Sequence, residues 1–295
     1  MRNPVILGLV VCPFVLGCSD VVEKTDVSYD DRFAATQMDV YSPADLDMPR
    51  PAVLVIHGGG WHTPLERDGM AQHAERLAES GYVAFNLSYR LVPDGGEFPH
   101  AVQDCLCALS YVRAHAAEYH VDPVRIAALG YSAGGHLVSM LGAAADDPVV
   151  APDCASGPTG PVAAVISGAG PEDMGLMPQV DVVTNFVGGT KDDAPELYVQ
   201  ASPLSHVAAG APPFLFIHGD NDWFVSIEHS HRMQAALDAV GTETHLLEVP
   251  GGGHIWNDDG DGAWDLEMSI DTPEAWAAMI DFLEHTIGPT TGGSS

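Results

Sequence analysis

Positively charged residues are rare in this sequence, because 11 Lys and Arg stand against 41 Asp and Glu and the formal net charge is −30. Such a negative field repels phosphate backbones and anionic lipid surfaces, so it excludes nucleic-acid binding. Long hydrophobic runs are also lacking: after the signal-like N-terminus, no stretch approaches the roughly 20 apolar residues that a membrane-spanning helix needs. Hydrophobic residues nevertheless make up 46% of the chain, which is enough for a large core and excludes global disorder.

Residues 1–17 are predicted to be a signal peptide. Arg2 is followed by an apolar run over residues 5–16, which has the length of a signal-peptide core and is too short to span a bilayer. The residues Val-Leu-Gly-Cys that end at Cys18 resemble a bacterial lipobox, in which the cysteine is lipidated and becomes the new N-terminus. We therefore expect an exported lipoprotein, periplasmic or at the cell surface, with residues 18–26 as a lipid-anchored linker. An ordinary cleaved signal for secretion is the alternative.

Cysteine is scarce beyond Cys18, where the sequence contains Cys105, Cys107 and Cys154. Cys105 and Cys107 stand two apart on a predicted helix and point to different faces, so they do not easily bridge each other. Either of them could pair with Cys154, because an exported protein meets an oxidising compartment. We expect buried thiols instead, since free cysteine is among the most buried residue types.

Apolar runs with the length of buried strands alternate with helical segments along most of the chain. Strands are predicted over residues 52–56, 82–87, 125–129, 162–166, 213–218 and 245–249, and helices over 70–80, 99–119, 136–145, 226–240 and 272–287. This alternation predicts an α/β fold with a mostly parallel central sheet flanked by helices. The domain is expected over residues 27–288 and begins with a strand pair at 27–41. Residues 171–212 are expected to form a small partial cap over a site, and residues 289–295 a flexible tail.

The sequence Gly-Tyr-Ser-Ala-Gly at residues 130–134 fits the G-x-S-x-G pattern of a nucleophile elbow. A strand is predicted before it and a helix after it, as this sharp turn requires. The two glycines remove the Cβ atoms that would clash where strand and helix cross, so Ser132 projects into solvent. Ser132 is therefore the candidate nucleophile, and a glycine-rich turn with an idle serine is the alternative.

Three glycines follow the first buried strand directly, in the sequence His57-Gly58-Gly59-Gly60-Trp61. Glycines allow backbone N–H groups to approach a ligand closely. In an acyl-transfer enzyme these N–H groups, joined by the N–H of Ala133, would stabilise an oxyanion. The motif lacks the Lys-Ser/Thr ending of a phosphate-binding loop, and a flexible hinge is the alternative. His57 itself is expected to be a structural hydrogen-bonding residue.

A general base and an acid are expected in loops after later strands, in the chain order Ser, acid, His. The late histidines are His229, His231, His245, His254 and His285. Of these, His254 lies in a loop that follows a strand, so we predict it as the base. Asp220 and Asp222 are both possible acids. Asp222 is favoured because it lies farther into its loop and can reach the imidazole, whereas Asp220 is expected to shape the turn.

Five motifs in this order resemble the α/β-hydrolase esterases, and in particular the feruloyl- and acetyl-esterase-like branch near the hormone-sensitive-lipase family. They are His57-Gly58-Gly59-Gly60-Trp61, Tyr89-Arg90-Leu91, Gly130-Tyr131-Ser132-Ala133-Gly134-Gly135-His136, His218-Gly219-Asp220-Asn221-Asp222 and His254. The resemblance extends over about residues 35–287 and implies Ser132 as nucleophile, Asp222 as acid and His254 as base. The oxyanion donors that it implies are Gly59, Gly60 and Ala133. It implies neither a cofactor nor a metal.

The predicted function is hydrolysis of carboxylic esters of small or polymer-linked acyl groups through an acyl-enzyme on Ser132. The expected partners are small-molecule or polysaccharide-linked esters, with no nucleic acid and with membrane contact only through a lipid anchor. Alternatives on the same fold are an amide or formamide hydrolase, a peptidase-like enzyme and a catalytically silent binding module. Arg90 and Asp104 are expected to form a structural ion pair. Residues 257–262 resemble a calcium loop but are expected to be a solvated acidic loop.

Overall fold

An eight-stranded sheet forms the centre of the molecule in the computed structural model, which describes residues 21–63, 67–157, 159–255 and 268–288. The strands are β1 (Val21–Ser28), β2 (Gln37–Pro43), β3 (Arg50–Ile56), β4 (Val83–Leu87), β5 (Val121–Tyr131), β6 (Ala164–Gly168), β7 (Phe214–Gly219) and β8 (Thr244–Val249). Their spatial order is β1-β2-β4-β3-β5-β6-β7-β8. The pairs β1–β2 and β2–β4 are antiparallel and the other pairs are parallel. The predicted, mostly parallel α/β sheet is confirmed.

Helices cover both faces of this sheet. They are α1 (Ala71–Glu79), α2 (His100–Ala114), α3 (Ala133–Ala143), α4 (Asp181–Val187), α5 (Pro195–Gln200), α6 (Glu228–Ala239) and α7 (Pro273–Thr286). In β3, Val53 and Val55 pack in the core that includes α1 and α7, whereas Leu54 and Ile56 pack in the core that includes α2 and α3. Because both faces are buried, the strand is a continuous apolar run. No helix within the described ranges is long and apolar enough to cross a membrane.

The N-terminal strand begins earlier than predicted. β1 starts at Val21 and pairs with β2, so residues 21–26 belong to the sheet and their assignment to a linker is wrong. Most of β1 is exposed and polar, as an edge strand allows, so it carries no apolar pattern that sequence reasoning could detect. The predicted signal peptide with Cys18, the acidic loop at 257–262 and the tail at 289–295 lie outside the described residues.

Residues 171–212 connect β6 to β7 and contain the short helices α4 and α5. Phe186 of α4 stacks on Trp61, with ring centroids 4.1 Å apart. At the other end of the segment, His136 Nε2 of α3 donates a hydrogen bond to the carbonyl oxygen of Ala201 at 2.7 Å. The segment therefore packs against both the loop that follows β3 and the helix that follows β5.

One disulfide bond joins helix α2 to the loop that follows α3. It links Cys107 to Cys154, whose Cα atoms are 5.2 Å apart. The expectation that these two residues are buried thiols is therefore wrong, whereas Cys105 is indeed a free buried thiol. The pairing depends on how residues 151–157 lie over α2, and the irregular sequence of that loop does not reveal this position.

Candidate active site

The strand-to-helix turn at Ser132 has the strained geometry of a nucleophile elbow. β5 ends at Tyr131 and α3 begins at Ala133, and Ser132 between them has φ 55° and ψ −119°. A Cβ atom at Gly134 would lie 2.0 Å from the carbonyl oxygen of Ile56, and one at Gly130 would lie 2.3 Å from the carbonyl oxygen of Gly134. Only glycine therefore allows this close crossing, which projects the Ser132 hydroxyl away from the sheet.

The three side chains predicted as a triad lie together at the carboxyl edge of the sheet. Ser132 Oγ is 2.8 Å from His254 Nε2. On the other side of the imidazole, Nδ1 is 2.7 Å from Asp222 Oδ2. Asp222 follows β7 and His254 follows β8, so the parallel strands deliver all three residues to one edge. With a proton on Nδ1, the imidazole donates to Asp222 and accepts from Ser132, as a general base must.

The Asp222 carboxylate is buried and remains ionised. Burial alone would raise its pKa, but hydrogen bonds from His218, His254 and the backbone of Val225 hold the pKa well below its usual range. Its Oδ1 accepts the N–H groups of Phe224 and Val225 at 3.0 and 2.8 Å. These bonds leave Oδ2 facing His254. The carboxylate is therefore fixed in orientation and is suited to stabilise an imidazolium.

Asp220, the other candidate acid, has a different contact. Its Oδ1 accepts the N–H of Gly251 at 2.6 Å, and this bond ties the loop after β7 to the loop after β8. The contact agrees with its predicted role in shaping the turn. Asp220 therefore serves as a nearby carboxylate with which the role of Asp222 can be compared.

The glycine loop after β3 borders the nucleophile. A Cβ atom at Gly58 would lie 2.9 Å from the carbonyl oxygen of Tyr131, which precedes Ser132. Gly59 and Gly60 have φ angles of 100° and 60°, and both line a cavity of about 200 Å³ with Ser132 and His254. Ala133 is the first residue of α3, and the N–H at this position has no partner within the helix. The predicted oxyanion donors are therefore grouped around the Ser132 turn.

The contacts of His57, which also lines the cavity beside Ser132, agree with the predicted structural role. His57 is buried, its ring stacks on Tyr89 with centroids 4.5 Å apart, and its Nδ1 lies 2.8 Å from the Gly58 carbonyl oxygen. Burial lowers the pKa of His57 to about 4, so the ring is neutral at ordinary pH. These contacts hold the start of the glycine loop.

Two contacts near the site concern residues outside the triad. The predicted ion pair is present, with Arg90 Nη2 2.7 Å from Asp104 Oδ1 and Arg90 Nε 2.9 Å from Asp104 Oδ2. The Tyr131 hydroxyl donates to the carbonyl oxygen of His254 at 2.5 Å and so anchors the backbone of the candidate base. Sequence reasoning missed Tyr131, because it occupies a variable position of G-x-S-x-G and nothing in the pattern marks it.

The sequence matches a protein-family profile. The BD-FAE family profile matches residues 38–237, about two thirds of the chain. The chain belongs to the BD-FAE family. Ser132 and Asp222 lie inside the matched region and His254 lies beyond it. In this BD-FAE protein the position of the base is therefore supported by the distances given above.

Individual relatives are esterases. The chain is 32% identical over 245 residues to the esterase LipC of Mycobacterium tuberculosis, covering 79% of this chain and 60% of LipC. It is 31% identical over 287 residues to the probable carboxylic ester hydrolase LipM of the same organism, covering 93% of this chain and 64% of LipM. The BD-FAE protein thus spans less than two thirds of both relatives.

A solved structure of a truncated carbohydrate esterase from gut microbiota superposes with a TM-score of 0.77 at 26% identity, covering 90% of this chain and 96% of the other. The α/β-hydrolase fold and the predicted resemblance to esterases are confirmed.

Proposed function

We propose that this BD-FAE protein hydrolyses carboxylic esters through an acyl-enzyme on Ser132. The observation that carries the proposal is the continuous hydrogen-bonded chain from Asp222 through His254 to Ser132, with distances of 2.7 and 2.8 Å. The His254 imidazole thus has a fixed acceptor, Asp222, on one side and the candidate nucleophile, Ser132, on the other. This is the arrangement that activates a serine hydroxyl.

In the proposed reaction, Ser132 Oγ attacks the ester carbonyl carbon while His254 Nε2 takes its proton. The N–H groups of Gly59, Gly60 and Ala133 stabilise the resulting oxyanion, and one such donor is typically worth about 3–4 kcal/mol. The tetrahedral intermediate then expels the alcohol, which receives the proton from His254. Water, deprotonated by the same imidazole, attacks the acyl-enzyme and releases the acid.

The cavity beside Ser132 favours a short acyl group. Its volume is about 200 Å³, and its walls include the apolar side chains of Met70, Phe224 and Ile255. These side chains offer no charged partner, so a short, uncharged acyl chain fits best. The carbohydrate esterase among the structural neighbours supports a sugar or polysaccharide as the alcohol.

A fluorophosphonate probe tests the proposal most directly. Wild-type protein is expected to react with one equivalent of probe at Ser132 and to hydrolyse p-nitrophenyl acetate, whereas Ser132→Ala does neither. The Ser110→Ala variant is a suitable control, since that hydroxyl bonds to the carbonyl oxygen of Gly157 at 2.7 Å and is absent from the cavity lining. An unlabelled wild type would instead support a silent binding module. A panel of acetyl, butyryl, feruloyl and formamide substrates then separates ester from amide hydrolysis.

We also propose that the protein is exported and anchored through a lipid on Cys18. The lipobox-like sequence supports the anchor, and the Cys107–Cys154 disulfide supports an oxidising compartment. Expressed with its N-terminus in a bacterium, the chain is expected to incorporate labelled palmitate and to fractionate with membranes. Cys18→Ala is expected to abolish the label, and a wild type without label would refute the anchor.

A further inference from the structure

Glu172 is a fully buried carboxyl group behind the nucleophile turn, and the proposed hydrolysis does not use it. Its Oε1 lies 2.7 Å from Ser167 Oγ and 2.9 Å from Ser139 Oγ. Its Oε2 has no hydrogen-bond partner among the residues that the structure describes. A Cβ atom at Gly170 would lie 2.4 Å from Ser167 Oγ and 2.8 Å from Glu172 Oε1, so these groups are closely packed. Burial raises the pKa of Glu172 to about 8, so the carboxyl is mostly protonated at neutral pH.

The Ser167 hydroxyl has two acceptors within reach but one proton. Besides Glu172, its Oγ lies 3.3 Å from the carbonyl oxygen of Gly135. A Glu172 protonated on Oε1 donates to the nearer of its two hydroxyl neighbours, that of Ser167, which leaves the Ser167 proton free to bond to the Gly135 carbonyl oxygen. An ionised Glu172 can only accept, so the Ser167 hydroxyl donates its hydrogen bond to Oε1 and the Gly135 carbonyl oxygen loses this donor.

Gly135 and its partners belong to the nucleophile turn. Gly135 lies in the first turn of α3, three residues after Ser132. The N–H of Ser132 donates to the carbonyl oxygen of Gly168 at 2.8 Å, and Gly168 directly follows Ser167 in β6. Two hydrogen bonds therefore join the end of β6 to the turn, and the protonation of Glu172 decides whether one of them forms.

Other titratable groups lie on the elements packed around this cluster. On α3, burial lowers the pKa of His136 to about 4, and on α6 burial lowers the pKa of His229 to about 3, so both are neutral at and above neutral pH. Asp173 forms an ion pair with Arg232 of α6 at 3.0 Å. His206, which follows α5, pairs with Asp147, which follows α3; His206 Nδ1 lies 3.0 Å from Asp147 Oδ2. In the described residues, no ion pair reaches Glu172 itself.

We propose that Glu172 is a positioning residue whose protonated carboxyl, acting through Ser167 on Gly135, holds the nucleophile turn in its reactive geometry. The inference rests on the proposed function, because the turn matters only if Ser132 reacts. Misplacing a catalytic group by about 1 Å typically lowers the rate by about a hundredfold. Loss of the hydrogen bond between Ser167 and Gly135 is therefore expected to lower kcat by tenfold or more.

Paired serine variants test the relay. Ser167→Ala removes the link to Gly135, whereas Ser139→Ala removes a hydroxyl that contacts the same Glu172 oxygen, so it is the matched control. With p-nitrophenyl acetate, kcat is expected to fall about tenfold or more in Ser167→Ala, with KM changed less than twofold. In Ser139→Ala, kcat is expected to fall less than threefold. Equal losses in the two variants, or an unchanged Ser167→Ala, would overturn the inference.

The pH dependence of kcat distinguishes the proposed positioning role of Glu172 from a merely structural role, which would leave it unchanged. Wild-type kcat is expected to fall about five- to tenfold between pH 7 and pH 9, because a group with a pKa near 8 is about 10% ionised at pH 7 and about 90% ionised at pH 9. Glu172→Gln stays neutral and is expected to lose this alkaline decline, while Glu79→Gln, on the exposed face of α1, keeps it. An unchanged decline in Glu172→Gln would refute the inference.

The two proposals fail in different ways. Wild-type protein that neither hydrolyses esters nor reacts with the fluorophosphonate probe overturns the proposed function and, with it, the role of Glu172. An active wild type whose Ser167→Ala and Glu172→Gln variants behave like their controls overturns the role of Glu172 alone.

Discussion

Replacing Asp222 by Asn tests the orientation of the candidate base. In wild-type protein, Oδ1 accepts two N–H groups, from Phe224 and Val225, and Oδ2 faces His254 Nδ1 at 2.7 Å. The two N–H groups need an acceptor, so the amide oxygen of Asn takes the Oδ1 position and the NH₂ group faces Nδ1. His254 must then accept at Nδ1 and carry its proton on Nε2, where it can no longer take the proton of Ser132.

The expected loss is large because the wrong tautomer removes general-base catalysis while the fold survives. Such a change typically lowers kcat by about 10⁴-fold, which corresponds to about 5.4 kcal/mol in the activation free energy. The assay is steady-state hydrolysis of p-nitrophenyl acetate, with circular dichroism to verify folding. Labelling by the fluorophosphonate probe is expected to slow to a similar degree, because it requires the same proton transfer.

Asp220→Asn is the matched control, since it makes the same chemical change two residues earlier. Asp220 accepts one N–H from Gly251, and an amide oxygen can replace that acceptor. Its kcat is therefore expected to stay within tenfold of wild type. The reasoning would be refuted by an Asp222→Asn variant with more than a tenth of wild-type kcat, or by an equal loss in both variants.

Three further predictions concern stability and the glycine loop. Cys107→Ser together with Cys154→Ser is expected to lower the free energy of unfolding by about 4 kcal/mol in urea, given the sequence separation of 47 residues. Gly60→Ala is expected to lower kcat/KM at least tenfold, because φ is 60° there and the new Cβ would lie 2.7 Å from Val182 Cγ2. Burial lowers the pKa of His57 to about 4, so its contribution to stability is fully present above pH 6.5, and about 3 kcal/mol is lost as the pH falls from 6.5 to 4. Urea unfolding at pH 7 and 4.5 should therefore show a smaller loss of unfolding free energy at the lower pH in His57→Gln than in wild type.

The meeting of the three predicted triad residues could be expected because their sequence signals are local and the sheet supplies the long-range geometry. Ser132 and Asp222 each follow an apolar run that the sequence reveals as a buried strand, and His254 follows the strand predicted at 245–249. Parallel strands place their carboxyl ends at one edge, so three residues distant in sequence were expected to meet there. Distinguishing Asp222 from Asp220 depended on the reach of each side chain, and the structure places Asp222 against the imidazole.

The extent of β1, the disulfide bond and the burial of Glu172 leave no local pattern in the sequence. β1 is mostly exposed, so its pairing with β2 is determined by backbone hydrogen bonds and leaves no hydrophobic pattern. The disulfide depends on the path of a loop over α2. Glu172 follows β6 in a polar segment that reads as a surface loop, yet it is fully buried. Its burial follows from tertiary packing between α3, β6 and the segment after β6, which the order of residues does not reveal.

Two buried carboxyl groups approach the nucleophile turn, and their surroundings shift their pKa values in opposite directions, so one is ionised and the other is neutral. Asp222 receives hydrogen bonds from His218, His254 and backbone N–H groups, and these outweigh burial and hold its pKa low. Glu172 contacts two hydroxyl groups, which are too weak to offset burial, so its pKa is raised to about 8. Ester hydrolysis by this site needs Asp222 ionised to stabilise the imidazolium and, by our inference, Glu172 protonated to hold the turn. The alkaline end of the active pH range should therefore be set by Glu172, so Glu172→Gln should extend activity towards higher pH without changing the decline at acid pH.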